Sequence, residues 1–220
     1  MKKYKIIVFF FFFAGTILYS YFHVQAEELP LFGKVIYLDA GHGGKDPGAL
    51  YRDIKEKDIN LEICKKLMEK LEKKGATVYL TRYGDYDLAV PNAINRKRSD
   101  LSRRSNIINN SGCDLYLSIH LNAETSGSWS GAQVFYDDVS EENKHLAEII
   151  QKQFKINTGT KRKASLTNSM YMYKRIERVG VLVEVGFLSN ANDRYNLKQS
   201  WYQNKVSDIM INGILEYFSK

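Results

Sequence analysis

Two histidines and two glutamates lie where their side chains could perform metal-assisted hydrolysis. His42 and His120 each follow an apolar run typical of a buried strand, Glu56 lies just ahead of a helical pattern, and Glu184 ends a third apolar run. Two imidazoles and one carboxylate, with a fourth position left to water, form the ligand set of a catalytic zinc site. A second carboxylate beside such a site can act as the base.

The chemistry that this set predicts is the hydrolysis of an amide. Zinc lowers the pKa of bound water to about 7 and polarises a carbonyl oxygen, and amide hydrolysis needs both effects. Glu56 lies 14 residues after His42 and 64 residues before His120, so the compact HExxH motif is absent. His120 is the hardest of these residues to explain structurally, because it closes a strongly apolar strand in a chain with only four histidines.

Each of the other residues also has a structural interpretation. His42 could be a turn residue in a Gly-rich loop, although residues 41–48 lack both the GxxxxGK[ST] and the GxGxxG order of nucleotide sites. Asp53 and Glu56 fit a capping box, in which Glu56 would bond only a backbone N–H. Glu184 could form a salt bridge, because an unpaired charge within so apolar a run would be costly.

The elements that must position these residues alternate between strands and helices. Strands are predicted at 34–39, 76–81, 114–119, 132–136 and 180–185. Helical spacing predicts helices over 59–71, stopped by Gly75, after the N-cap Ser140, and over 206–217. The pattern predicts one α/β domain with a mostly parallel twisted sheet covered by helices on both faces. In such sheets, ligands bind beyond the carboxyl ends of the strands, where the candidate residues fall.

Composition excludes several classes of protein. The 220 residues are 44% hydrophobic and 26% charged, which excludes intrinsic disorder. The net charge is +7, but without Lys2, Lys3 and Lys5 only 29 basic residues face 25 acidic ones, so nucleic acid is not an expected partner. The basic cluster over 96–104 is expected to be mostly a solvated helix face or loop. The two cysteines are too few for a disulfide scaffold, and we expect both to be buried thiols.

The first 26 residues have the order of an export signal. Basic residues 1–5 precede the apolar run 6–22 and a short polar stretch, with Val24 and Ala26 at the positions that a signal peptidase recognises. We expect either cleavage after Ala26 or retention as an N-terminal membrane anchor. Both interpretations place residues 27–220 as a single catalytic domain outside the cytoplasmic membrane, with membrane contact only through the first segment.

Beyond these patterns, the sequence resembles the zinc-dependent N-acetylmuramoyl-L-alanine amidases of bacterial cell walls. The resemblance covers residues 34–218 and rests on the segments LDAGHGG (38–44), EKD (56–58), LTR (80–82), the helix over 101–109, SIHLNA (118–123) and VEVGFLSN (183–190). Within that family, the segments NRKRSDL (95–101) and WSGAQVFY (129–136) and the lack of a wall-binding repeat are most similar to the germination-specific amidases of the spore cortex.

The resemblance implies a role for each candidate residue. His42, Glu56 and His120 would bind one zinc ion per chain, and Glu184 would be the catalytic glutamate. The substrate would be peptidoglycan strands with stem peptides, cut between the lactyl group of N-acetylmuramic acid and L-alanine. Removal of stem peptides during maturation of the spore cortex would be the biological role.

Two further residues acquire a weaker role from the resemblance. Arg104 matches the helix arginine of the family, and Asn122 follows the second histidine as family members have it, so each is expected to contact substrate or support the site. Ile108 departs from the family, in which a small residue often precedes Asn109, and this puts the packing of that helix in question.

Other functions remain open at this stage. A zinc exopeptidase of related fold would need a second metal, for which Asp39 and Asp46 are the candidate ligands. A non-catalytic wall-binding protein would bind glycan without releasing amino termini. Because three protein ligands hold zinc less firmly than four, an accessory protein could also be needed to stabilise the site.

Overall fold

The computed structural model describes residues 29–167 and 170–219, together with Gly15. The chain divides into two units, Met1–Pro30 and Leu31–Lys220. The predicted export segment lies outside the described residues except for Gly15, so the choice between cleavage and anchoring stays a prediction. Among the described residues, no helix combines the length and the apolar composition that a membrane crossing needs.

Eight strands and five helices form the second unit. The strands are β1 (Val35–Ala40), β2 (Leu50–Tyr51), β3 (Ile54–Lys55), β4 (Thr77–Leu80), β5 (Leu115–Asn122), β6 (Gln133–Tyr136), β7 (Ser165–Leu166) and β8 (Gly180–Phe187). The helices are α1 (Glu56–Lys73), α2 (Arg96–Asn110), α3 (Glu141–Thr158), α4 (Ala191–Leu197) and α5 (Ser200–Phe218), with a 3-10 turn at Tyr173–Arg175.

Six of the strands form one sheet in the order β4-β1-β5-β8-β6-β7. Strands β4, β1, β5 and β8 are parallel, β6 is antiparallel to β8, and β7 is parallel to β6. The remaining two strands, β2 and β3, form a separate antiparallel hairpin. The predicted α/β domain with a mostly parallel sheet is therefore confirmed.

Two apolar clusters cover the two faces of the sheet. The larger cluster contains alternate residues of β1, β5 and β8, such as Leu117 and Val183, together with residues of α1, α3 and α5, such as Leu67 and Ile150. The smaller cluster, on the opposite face, contains Tyr116 and other residues from β8, α2 and the 3-10 turn region. Burial on both faces explains why these strands are apolar along most of their length.

The structure confirms the predicted helix caps at Gly75 and Ser140, but two strands are longer than predicted. Gly75 follows the end of α1 with φ of +92°, and the Ser140 hydroxyl accepts a hydrogen bond from the Glu142 N–H at the start of α3. Strands β5 and β8, however, continue to Asn122 and Phe187. The prediction that His120 and Glu184 lie at strand ends was therefore wrong, because both lie within strands whose last residues are more polar or glycine-containing than a buried strand usually is.

The two sequence features that concerned packing have clear outcomes. Ile108 is fully buried in the smaller cluster, so helix α2 accommodates its larger side chain as part of the core. Cys64 and Cys113 are free and buried, as expected. Burial raises the pKa of both thiols, which makes them poor nucleophiles and poor metal ligands.

The close contact between α3 and α5 depends on Gly213. A Cβ atom there would lie 2.8 Å from Cγ1 of Ile150 and 3.2 Å from its Cα. We expect Gly213→Val to lower the free energy of unfolding by about 2 kcal/mol through overpacking. Urea denaturation would measure it, with Asn212→Val on the exposed face of the same helix as control. Equal stability of the two variants would contradict the packing argument.

Candidate functional site

On one face of two neighbouring strands, the apolar side chains of the core are followed by the polar side chains of the site. On β5, Tyr116 packs in the smaller cluster, Ser118 follows on the same face, and His120 is next. Leu182 and then Glu184 occupy that face on β8, where Glu184 pairs in register with His120. The imidazole of His120 and the carboxylate of Glu184 therefore lie side by side at the carboxyl end of the sheet.

Glu56 reaches the same place from the first residue of α1. One of its carboxylate oxygens, Oε2, accepts a hydrogen bond of 2.8 Å from the Ala49 N–H, and the other, Oε1, accepts one of 2.9 Å from the Leu121 N–H. The helix is capped by Lys55 without a side-chain hydrogen bond. The capping-box interpretation with Asp53 was therefore wrong, because the Glu56 carboxylate points towards β5 instead of back along its own helix.

His42 lies in the loop after β1, held in a left-handed conformation with φ of +62°. Its Nδ1 is 2.9 Å from Oδ2 of Asp46, whose other oxygen accepts a hydrogen bond from the Gly48 N–H. Glycine is required at 48, where φ is +68° and a Cβ would lie 2.5 Å from Oε2 of Glu56 and 2.7 Å from Cδ2 of His42. At Gly41, a Cβ would collide with the ring of His120.

These three side chains converge on one point. Nε2 of His42 is 3.2 Å and Nδ1 of His120 is 3.0 Å from Oε1 of Glu56. One ligand atom from each residue lies within 4.8 Å of the others, so together they could hold a metal ion. Two imidazole nitrogens and a carboxylate oxygen are the donors that zinc prefers, and the bond to Asp46 leaves Nε2 of His42 directed at the shared point.

The charges of these groups keep Glu56 ionised and favour the protonated form of His42, whose proton a metal ion would displace. Burial by itself would raise the pKa of Glu56, but the hydrogen bonds and charges of His120 and His42 hold it far below its usual range. Burial would lower the pKa of His42, yet its bonds to Glu56 and Asp46 raise that pKa to about 8. The carboxylate of Glu56 is thus ionised at neutral pH and available as a ligand.

Glu184 has a different environment. Its side chain is 9% exposed, and its Oε2 is buried without a hydrogen-bond partner. Burial, and to a lesser extent the charge of Glu56, raises the pKa of Glu184 to about 7 despite the opposing effect of His120. A salt bridge is therefore not what stabilises this carboxylate, and a pKa near 7 suits a group that exchanges protons.

A buried ion pair between Arg104 and Asp39 contacts the backbone of His42. Arg104 is 1% exposed and donates to Oδ1 of Asp39 at 2.7 Å and to Oδ2 of Asp100 at 2.8 Å. Its remaining donors bind the carbonyl oxygens of Ala40 at 2.8 Å and His42 at 2.6 Å. Of the two roles expected for Arg104, the structure thus offers it the supporting one, because its guanidinium is enclosed by protein acceptors.

Both carboxylate oxygens of Asp39 accept hydrogen bonds within this network. Its Oδ1 also accepts from the Thr81 hydroxyl, and its Oδ2 accepts from the Ser118 hydroxyl. Burial would raise the pKa of Asp39, but Arg104 and the two hydroxyls lower it to about 2. Since Asp46 holds His42 in turn, neither aspartate offers the free oxygen that a second metal would need, and the two-metal exopeptidase interpretation loses its ligands.

The sequence did not predict the supporting roles of two residues. Asp46 orients His42, and Arg82, 1% exposed, donates to the carbonyl oxygens of Ala40, Gly41 and Lys57. Arg82 lies in the segment LTR that carried part of the family resemblance, so the signal was present without its physical meaning. Asn122, the last residue of β5, is half-buried two residues beyond His120.

Comparison with known proteins gives consistent results. The family model described as N-acetylmuramoyl-L-alanine amidase matches residues 36–216. The germination-specific N-acetylmuramoyl-L-alanine amidase of Bacillus subtilis (strain 168) is 43% identical over 197 residues, which cover 88% of this chain and 83% of that protein.

Solved structures agree with the sequence comparison. The CwlD amidase from Clostridioides difficile, solved in complex with the GerS lipoprotein, has a TM-score of 0.81 and 37% identity over 85% of this chain and 99% of that one. The catalytic domain of CwlV, an N-acetylmuramoyl-L-alanine amidase from Bacillus (Paenibacillus) polymyxa var. colistinus, has a TM-score of 0.73 and 30% identity over 84% and 97% of the two chains.

Removal of Arg104 tests the buried ion pair. We expect Arg104→Ala to lower the free energy of unfolding by about 3–5 kcal/mol, because Asp39 would remain buried without its positive partner. Its neighbour Arg103 is exposed on the same helix, so Arg103→Ala should change the stability by less than about 0.5 kcal/mol. Urea denaturation of both variants at pH 7 measures the difference, and similar midpoints would contradict the role of the pair.

Proposed function

The chain belongs to the family of N-acetylmuramoyl-L-alanine amidases, and from this premise we propose that it hydrolyses its amide substrate with one zinc ion bound by His42, Glu56 and His120. The observation that carries the proposal is the convergence of Nε2 of His42, Nδ1 of His120 and Oε1 of Glu56. The substrate is peptidoglycan, and the bond that is hydrolysed joins N-acetylmuramic acid to L-alanine.

The donor set suits a catalytic site more than a structural one. A closed structural site uses four protein ligands, whereas three protein ligands leave a position for water or substrate. When bound there, zinc would supply Lewis acidity towards the lactyl carbonyl and a lowered pKa for water. Asp46 keeps the His42 ring in the tautomer and orientation that present Nε2, and the Leu121 N–H holds the Glu56 carboxylate in place.

Glu184 is the general base in this proposal. Its unpartnered Oε2 and its pKa near 7 leave it able to take a proton from the attacking water at neutral pH. The same oxygen would then return the proton to the alanine nitrogen as the carbon–nitrogen bond breaks. Asn122, close by at the end of β5, would contact the substrate, and Arg104 would act only by fixing the carbonyl of His42.

The biological setting is proposed from the relatives and the N-terminal segment. The identity of 43% with a germination-specific amidase supports a role in removing stem peptides from spore-cortex peptidoglycan. Basic residues 1–5 and the apolar run 6–22 support export across the cytoplasmic membrane, with cleavage after Ala26 or retention as an anchor. A sporulating host lacking its own germination-specific amidase tests the role: the chain should restore stem-peptide removal, and a Glu184→Gln chain should not.

An accessory protein that stabilises the zinc site is also part of the proposal. The support is that the CwlD amidase, 37% identical, is solved in complex with the GerS lipoprotein. Zinc occupancy measured with and without a co-expressed lipoprotein of that kind tests it. Full occupancy and full turnover of the isolated chain would dispose of the requirement.

Replacement of Glu184 separates catalysis from metal binding. We expect Glu184→Gln to retain stoichiometric zinc and to lose hydrolysis by about 10²–10⁴-fold, because the amide cannot accept the proton of water. Elemental analysis measures the zinc, and the release of L-alanine amino termini from peptidoglycan measures the turnover. Unchanged turnover would remove Glu184 from the mechanism.

Replacement of His42 should act on the metal itself. His42→Ala removes one of three ligands, so we expect zinc content to fall far below one ion per chain and hydrolysis to fall with it. His145 lies on helix α3 outside the proposed ligand set, so His145→Ala is the matched control and should keep its zinc. Full zinc occupancy in the His42 variant would show that the ligand set is wrong.

A further inference from the structure

Both tryptophans of the chain line one groove, which also includes Gln133, the strand neighbour of Glu184. The groove has a volume of about 850 Å³ and is lined by residues that include Trp129, Thr160, Arg162, Trp201, Tyr202 and Lys205. We call it the tryptophan groove. Trp129 is 53% and Trp201 58% exposed, although aromatic rings of this size are normally buried for the most part.

The groove is fixed by hydrogen bonds and ring contacts. The guanidinium of Arg162 lies 5.0 Å from the ring centre of Trp129 and donates to the Ser130 carbonyl at 2.8 Å and to Oε1 of Gln133 at 2.9 Å. The ring of Tyr202 packs edge-to-face on Trp201 with centres 5.5 Å apart. A surface with these restraints is arranged before any ligand arrives, which lowers the entropic cost of binding.

The groove is related to the proposed base through one pair of strands. Gln133 on β6 is the antiparallel partner of Glu184 on β8, so the two side chains lie on the same face of the sheet. Gln133 in turn accepts a hydrogen bond from Arg162, whose guanidinium faces the ring of Trp129. A polymer that places one unit against Glu184 and continues past Gln133 would therefore reach the tryptophan groove.

We propose that the tryptophan groove binds the glycan chain of peptidoglycan next to the sugar whose stem peptide is removed. This inference rests on the proposed function, because it extends the substrate of that site from one unit to several. The faces of the two indole rings are suited to stacking on the apolar C–H faces of pyranose rings. Lys205 and the side chain of Asn196, also in the lining, offer donors to hydroxyl and acetamido oxygens.

The chemistry of the groove favours sugar over stem peptide or a protein partner. Its lining combines exposed rings with polar and charged side chains, whereas a protein interface has a continuous apolar centre. Asp193 faces the groove, but its Oδ2 accepts from the N–H groups of Gly131 and Phe187, so it contributes to the framework. The glycan is also the part of the substrate that repeats, so a binding surface beyond the reacting unit would meet a further sugar.

Tryptophan fluorescence gives a direct test, because both tryptophans of the protein lie in the groove. The full chain is titrated with peptide-free strands of alternating N-acetylglucosamine and N-acetylmuramic acid, and we expect a saturable change in emission. Trp129→Ala and Trp201→Ala should each weaken glycan binding about tenfold, the size of one lost stacking contact. Phe32→Ala, an aromatic residue 79% exposed and outside the groove, should bind as the parent does.

A second readout uses hydrolysis. For each tryptophan variant, the ratio of kcat/KM on polymeric strands to kcat/KM on a single muramoyl peptide should fall about tenfold, since only the polymer reaches the groove. Unchanged emission at saturating glycan, an equal change caused by the stem peptide alone, or unaltered ratios in both variants would overturn the proposal.

The two proposals fail separately. A Glu184→Gln chain should still bind glycan with the parent affinity, so loss of hydrolysis with retained fluorescence change would implicate only the chemistry. Normal zinc-dependent hydrolysis without any effect of glycan on the tryptophans would reject the groove alone.

Discussion

The buried pair of Arg104 and Asp39 is the interaction on which the site depends. Asp39 is tied to Thr81 after β4 and to Ser118 on β5, so one carboxylate joins three neighbouring parts of the sheet. Arg104 joins that carboxylate to helix α2 and to the carbonyl of His42. Burying two charges is costly unless every donor and acceptor is satisfied, and here the guanidinium has four acceptors on Asp39, Asp100, Ala40 and His42.

Strand β5 contributes core residues on one face and a residue of the site on the other. On β5, the odd-numbered side chains enter the larger core, while Tyr116, Ser118 and His120 share the other face. Along that face, an aromatic core residue gives way to a hydroxyl of the polar network and then to the imidazole of the site. The same pleat that buries the strand therefore sets the direction in which its histidine points, which fixes this part of the site to the rigid sheet.

Much of this arrangement could be predicted from the sequence. Apolar runs located the five main strands, spacing located α1, α3 and α5, and the shortage of structural explanations for His120 and Glu184 made them candidates. The assignment of roles to individual residues came from the family resemblance. Two features could not be predicted: the extension of β5 and β8 past the site, and the direction of the Glu56 carboxylate. Both depend on partners distant in sequence, namely the pairing of β5 with β8 and the Leu121 N–H.

The distances along the chain between the three converging residues have a consequence for how the protein acquires its activity. His42, Glu56 and His120 belong to segments that meet only after β1 has paired with β5, a contact between parts of the chain separated by nearly 80 residues. Such long-range pairing forms slowly during folding, because the intervening loop must first be closed. A metal ion bound by these three residues would therefore meet a framework that is already assembled, whereas the ion of a zinc finger drives the folding of its domain. On this order of events, an incompletely folded chain would lack hydrolytic activity, because its centre would form last.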